Sequence, residues 1–282
     1  MTSPLLPWLT TLIAAAVFTV MLSLGLMIGR EQVTAVRERP LALAAALFAV
    51  LVPVPAAAVL LVKLAGLKGV AAAGILLMAI SPGAPIALRR AIEAGGSRAF
   101  APALHVVVVA LAIVSVPASV AILDAIYQKN FAVSPMDVGR QVFFAQLLPL
   151  AIGAAIRAWR PALAARLEPR LARLSGALLL ALAVALLVVL WPLMAQIGWA
   201  PFMAGIGLTV CALAVGAAVV ARDVQVRPAV AVATAMRNPG LALLIAAVNK
   251  MPAGVVAAVF GYALGLALVV ALFVVWQGRR AR

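Results

Sequence analysis

The chain has 282 residues, of which 67% are apolar and only 10% are charged. A soluble domain carries about 25% charged and about 45–50% apolar residues, and no soluble fold of this length can bury so much apolar surface. The sequence therefore predicts an all-α, polytopic membrane protein with the bilayer as its solvent. A formal net charge of +15 ordinarily suggests a nucleic-acid partner. Here the basic residues are scattered through short loops, which is typical of membrane topology, so no nucleic-acid partner is expected.

A membrane-spanning helix needs about 20 consecutive, mostly apolar residues. Taken in chain order, the sequence predicts nine such spans, at residues 8–29, 41–62, 69–88, 101–123, 138–156, 174–194, 201–220, 228–249 and 252–276. The connections between them are short. We therefore predict one integral membrane domain over residues 1–282, with two approximate repeats at 8–123 and 138–276.

The basic residues divide unequally between the two sides of this arrangement. Sixteen of the 22 Lys and Arg residues fall in loops on one side, where the 157–173 loop alone has five, and only five fall on the other side. Loops rich in Lys and Arg stay in the cytoplasm. We therefore expect an outside N-terminus and a cytoplasmic C-terminus, in the inner or plasma membrane.

Two of the nine spans contain a helix-breaking segment near the middle. The third reads Ser81-Pro82-Gly83-Ala84-Pro85, and the eighth reads Arg237-Asn238-Pro239-Gly240. Proline removes a backbone donor and clashes with the preceding turn, and glycine permits an abrupt change of direction. A single Pro-Gly pair in a membrane helix is often an ordinary kink. Broken backbone at membrane depth is tolerated only where protein or a watery cavity surrounds it.

The pairing of the two breaks indicates a binding site. Spans three and eight are five spans apart, so they run in opposite directions through the membrane. Corresponding interruptions in oppositely oriented halves indicate inverted repeats with a substrate site near the midplane. We predict that Pro82, Pro85 and Pro239 make the breaks and that substrate is bound by Ser81, Gly83, Arg237, Asn238 and Gly240.

At these residues the chain resembles the bile acid:sodium symporter family of secondary transporters. That family pairs a Cys-Pro-Gly-Gly type break with a Met-Gln-Asn-Ser-Gly-Leu-Ala type break, and the corresponding segments here are Ser81–Ala84 and Met236–Ala242. The resemblance covers nearly the whole chain and includes the nine-span form of some members. It implies a panel domain and a core domain, with transport by movement of one against the other. Spans 1, 2, 5 and 6 contain the panel elements, with span 2 flanking the core. Spans 3, 4, 7, 8 and 9 form the core, where the two broken helices cross.

The positions that align with the family's sodium ligands all lack side-chain oxygens. They are occupied by Val50, Ala87, Leu88, Ala101, His105, Ala233 and Arg237. Sodium needs several oxygen ligands, which Ala, Leu and Val side chains cannot supply. We therefore expect no metal site there and no coupling to sodium through the family's usual residues. A sodium-dependent symporter with backbone ligands is the alternative.

Arg237 and His105 are the two charge-bearing candidates within the spans. A charge near the midplane costs about 2.5–3.5 kcal/mol even on the insertion scale, so Arg237 is a functional candidate. Its guanidinium could bind a substrate carboxylate, replace the lost sodium ion, or cap carbonyls freed by Pro239. His105 is the only histidine and a candidate for proton coupling; alternatively, it is a packed residue bonded to a neighbouring backbone.

Together these features predict a secondary active transporter of a small organic anion that works by alternating access in the lipid bilayer, without a cofactor. An intramembrane enzyme would need paired carboxylates, a nucleophile with its base, or metal ligands. All seven acidic residues fall in loops or at span ends, so we expect no enzyme. A channel would require a ring of identical filter elements. A non-transporting receptor or sensor with the same binding residues is the remaining alternative.

Overall fold

The computed structural model describes residues 7–127 and 133–280, and within these ranges the regular structure is helical without a β-strand. Lys129 and Arg282, which enter the charge count, lie outside the described residues. The helices are α1 (Pro7–Gly25), α2 (Arg30–Arg37), α3 (Pro40–Leu51), α4 (Pro53–Leu64), α5 (Gly69–Ala79), α6 (Ile86–Glu93), α7 (Phe100–Ile126), α8 (Pro135–Val142), α9 (Leu148–Trp159), α10 (Pro161–Ile197), α11 (Ala200–Val219), α12 (Arg227–Ala235), α13 (Pro239–Val248) and α14 (Ala253–Arg280). A π-helical turn, Phe143–Leu147, joins α8 to α9. The all-α prediction is confirmed.

Seven helical stretches of the described chain are long and apolar enough to cross a membrane. They are Pro7–Gly25, Pro40–Leu64, Phe100–Ile126, Pro135–Trp159, Pro161–Ile197, Ala200–Val219 and Ala253–Arg279. Each coincides with a predicted span. The two other predicted spans, 69–88 and 228–249, contain the breaks, and their apolar helices α5 and α13 are each too short to cross alone. The chain is therefore a polytopic membrane protein, and the count of nine spans stays a prediction.

The basic segment 157–173 is helical except at Arg160, which separates α9 from α10, although the sequence analysis treats the segment as a loop. Helix α10 begins at Pro161 and runs for 37 residues. The segment is rich in Ala, Leu and Arg, which favour helix, and proline is well suited to the first turn. At 1.5 Å per residue α10 is about 55 Å long, well beyond the ~30 Å of the hydrocarbon core. Its basic N-terminal part therefore extends past the apolar stretch.

The second predicted span is interrupted at its middle. Helix α3 ends at Leu51 and α4 begins at Pro53. Because proline cannot donate a backbone hydrogen bond, the ladder between these helices is interrupted. The interruption lies next to Val50, whose carbonyl oxygen takes part in the site described below.

Close glycine contacts hold two sets of helices together. Helix α1 packs against α9 and α10, and a Cβ atom at Gly25 would collide with the carbonyl oxygen of Leu150. Helix α11 packs against α14 and α12, and a Cβ atom at Gly205 would collide with the carbonyl oxygen of Tyr262. Small residues let membrane helices approach at backbone distance. The two sets meet where α10 contacts α14, and α1 also contacts α13, the helix that follows the second break.

Candidate functional site

The first break separates α5 from α6. Gly83 has φ +78°, a left-handed conformation that favours glycine. Pro85 stands at the N-cap of α6. The Ser81 hydroxyl, which is fully buried, donates to the carbonyl oxygen of Leu77 at 2.7 Å. The Ser81 side chain thus bonds to the last turns of α5, the helix that precedes the break.

The second break separates α12 from α13. Asn238 is the N-cap of α13, and its Oδ1 accepts a hydrogen bond from the Leu241 amide at 3.1 Å. Pro239 follows in the first turn, where its missing N–H costs nothing. Gly240 lets α1 approach, because a Cβ atom there would lie 2.9 Å from Cγ2 of Val17.

The structure brings the two breaks together. Pro82 and Arg237 form an isolated antiparallel bridge. The Asn238 backbone amide donates to the Ser81 carbonyl oxygen at 2.8 Å, and Asn238 Nδ2 donates to the Gly83 carbonyl oxygen at 3.1 Å. Each break therefore satisfies polar backbone groups that the other leaves free, which is what burial in an apolar environment requires.

Arg237 lies at this junction with 1% of its surface exposed. Its Nη1 donates to the Ala79 carbonyl oxygen at 3.1 Å, and its Nη2 donates to those of Val50 and Thr234, each at 2.8 Å. Its Nε has no partner among the described residues. The salt bridges of the described chain are Arg39–Asp223, Arg89–Glu93, Arg90–Glu93 and Arg140–Asp137, so no carboxylate neutralises the guanidinium there.

A cavity of about 560 Å³ opens between α1, α6 and α10. It reaches the first break at Pro85, and its polar lining comes from Ser23, Arg89, Glu93, Glu168 and Ser175. The remaining lining is apolar. None of the five predicted substrate residues is among the described residues that line it. The cavity and the first break are therefore adjacent and meet at Pro85.

The charged residues that α6 contributes to the cavity lining, Arg89 and Glu93, form an ion pair, and Glu93 also pairs with Arg90. Glu93 accepts hydrogen bonds from Arg89 and from Arg90, both at 2.8 Å. The bond from Arg89, with that from Arg90, holds the pKa of the Glu93 carboxyl below its ordinary value despite some burial. Glu93 therefore stays ionised at neutral pH and keeps this end of α6 polar.

His105 lies on α7, one helical turn before the residues that pack against the first break. A Cβ atom added at Gly83 would meet the side chains of Val108 and Val109, and it would lie 2.9 Å from Cγ2 of Val109. His105 is buried, and its Nε2 has no partner among the described residues. The expected alternative, a histidine bonded to a neighbouring backbone, is therefore not seen at Nε2.

Other polar groups at depth were missed by the sequence analysis. Gln146, in the π-helical turn, is fully buried, and both of its amide atoms lack a hydrogen-bond partner among the described residues. The hydroxyls of Thr209 and Tyr262 are also buried without a partner among the described residues. A glutamine within an apolar span is a visible signal, because a buried unpaired amide is costly. Nothing in the sequence indicates that Val50 belongs to the site, because only its backbone carbonyl oxygen contacts Arg237.

These observations define a helical membrane protein in which two interrupted helical segments join through their breaks, an arrangement typical of secondary transporters. The sequence pattern of the Sodium Bile acid symporter family matches residues 14–197, more than half of the chain, and the chain belongs to that family. The match includes the first break and ends before the second. No curated protein matches the chain. The protein is thus a membrane transporter of the bile acid:sodium symporter kind.

Proposed function

We propose that the protein carries a small organic anion by alternating access and is not coupled to sodium through side-chain ligands. The observation that carries the proposal is the buried guanidinium of Arg237, which lies between the two breaks without a carboxylate among the described residues. A buried positive charge without a carboxylate partner attracts anions and repels cations, because the surrounding dielectric is low.

The helices that begin at the breaks add to this preference. Helix α6 begins at Ile86 and α13 at Pro239, so both present N-termini to the junction. A helix N-terminus carries partial positive charge and unpaired amides, which suit an anionic group. We therefore expect a substrate with at least one carboxylate or an equivalent group, bound by Arg237 and the break residues Ser81, Gly83, Asn238 and Gly240.

The position of the cavity supports alternating access. It lies between α1 and α10, which the family resemblance assigns to the panel, and α6, which it assigns to the core. Movement of the panel against the core would open or close this space and change access to the breaks. Helix α1 also contacts Gly240 through Val17, so the same movement would uncover the second break.

Proteoliposomes test the function directly. Purified protein is first screened by thermal shift against small mono- and dicarboxylates, and the stabilising compound is then used as a labelled substrate. We expect saturable exchange of the labelled anion with the same anion inside. Binding without exchange would indicate a receptor, and flux that does not saturate would indicate a channel.

Replacing sodium with choline tests the coupling. The positions Ala87, Leu88, Ala101 and Ala233 have no side-chain oxygen, so at constant ionic strength the anion affinity should be the same in both salts. The affinity is measured by titration in each salt. A tenfold tighter affinity in sodium, equivalent to about 1.4 kcal/mol of coupling, would instead support the symporter with backbone ligands.

Changing the pH tests the role proposed for His105. A protonated imidazole adds a second positive charge, so anion affinity should strengthen as the pH falls from about 7.5 to about 5. We expect His105→Ala to bind the anion with an affinity that is constant over this range. The control is His105→Gln, which keeps a polar group of similar size without a titrating charge. A pH dependence that persists in both variants would remove His105 from the proposal.

A further inference from the structure

Three helix C-termini converge on the guanidinium of Arg237. The accepting oxygens belong to Val50 near the end of α3, to Ala79 at the end of α5, and to Thr234 near the end of α12. The three bonds are 2.8 to 3.1 Å long. Only Thr234 is close to Arg237 in sequence, so tertiary packing creates this cluster of oxygens.

We propose that these three carbonyl oxygens form a cation site that Arg237 fills with its own side chain, and that the empty site takes a free monovalent cation when that side chain is removed. The last carbonyls of a helix lack intrahelical donors, and each helix C-terminus carries partial negative charge. Three such ends facing one buried point favour a cation there. They also explain how the guanidinium is tolerated without a carboxylate.

The guanidinium of Arg237 is a cation that is covalently part of the chain, so it would act differently from a free ion during transport. A free ion can leave and so transmit an ion gradient to the substrate, whereas a tethered guanidinium stays in every conformation. Besides its proposed contact with substrate, Arg237 therefore keeps α3, α5 and α12 joined at the breaks. This consequence rests on the proposed transport function, but the cation site itself does not.

Guanidinium ion is the probe for the empty site. Arg237→Ala leaves three unsatisfied carbonyls, so its melting temperature should be below that of the wild type. Guanidinium chloride at low millimolar concentration should raise the melting temperature of this variant saturably by about 5 °C. Choline chloride and urea at the same concentrations are the solution controls and should not. The wild type and Arg89→Ala, which removes an arginine whose side chain is 81% exposed, should not respond to guanidinium.

A second pair of variants needs no added ion. Arg237→Lys keeps a cation with three N–H donors, whereas Arg237→Met has similar length and no charge. We expect the lysine variant to melt at the higher temperature. Equal melting temperatures for Lys and Met, or no guanidinium response in a folded Arg237→Ala, would overturn the proposal. Failure of the wild type to bind any anion would refute the proposed function and leave this inference standing.

Discussion

Replacing Arg237 with Gln should weaken anion binding about 100-fold, equivalent to about 2.7 kcal/mol, without making it sodium-dependent. The substitution removes the buried charge that attracts the substrate. A glutamine side chain is uncharged and shorter than arginine, so its single amide nitrogen does not reproduce the three bonds that Nη1 and Nη2 make to carbonyl oxygens. Position 233 stays alanine, so no carboxylate is available to complete a sodium site.

The dissociation constant is measured by titration in sodium and in choline. The matched control is Arg90→Gln, which neutralises an arginine on α6 that lies outside the breaks. That variant should bind the anion like the wild type. If Arg237→Gln also bound like the wild type, Arg237 would serve only to cap the helix ends. If it became sodium-dependent, the loss of charge would have restored a cation-coupled site.

Replacing Gly205 with Ala should destabilise the protein strongly. An added Cβ atom would collide with the carbonyl oxygen of Tyr262 and lie 3.0 Å from its Cα. Both atoms are backbone, so no side-chain rotation relieves the contact and α11 must move away from α14. Overpacking a well-packed core costs about 1–3 kcal/mol, and we expect the upper part of this range.

Gly207, two residues further along the same helix, is the matched control. A Cβ atom there meets nothing within 4 Å, so Gly207→Ala should be neutral or slightly stabilising, because alanine favours helix over glycine by about 0.5–1 kcal/mol. Melting temperatures of the two variants in the same detergent provide the measurement. Equal temperatures would contradict the close α11–α14 packing.

Much of the membrane architecture could be predicted because it depends on local chemistry. Seven predicted spans coincide with long apolar helices, since about 20 apolar residues in a row have no other way to satisfy their backbone in lipid. Both breaks lie at their predicted Pro-Gly segments, because proline removes a backbone donor and the adjacent glycine permits a change of direction. The family was likewise recognisable from the break motifs and is confirmed.

Other features could not be predicted because they depend on partners distant in sequence. The sequence placed a lone charge at position 237, but its partners include Val50 and Ala79, whose apolar side chains indicate nothing about their carbonyl oxygens. Ser81 and Asn238 were predicted to face substrate, and the structure shows their side chains bonded to backbone groups of the breaks. Part of the polar lining of the cavity comes from Ser23 on α1 and Glu168 on α10, which carry no common motif.

The sequence by itself determined which segments form long apolar helices, where two further apolar segments break, and that a lone charge lies within one of those segments. These properties follow from the side chains within a few residues of each position. Only the tertiary structure decided that the two breaks join, that three helix ends meet at Arg237, and that a cavity opens beside Pro85. Those features depend on backbone oxygens and on close glycine contacts between helices, and such contacts exist only once the helices have packed.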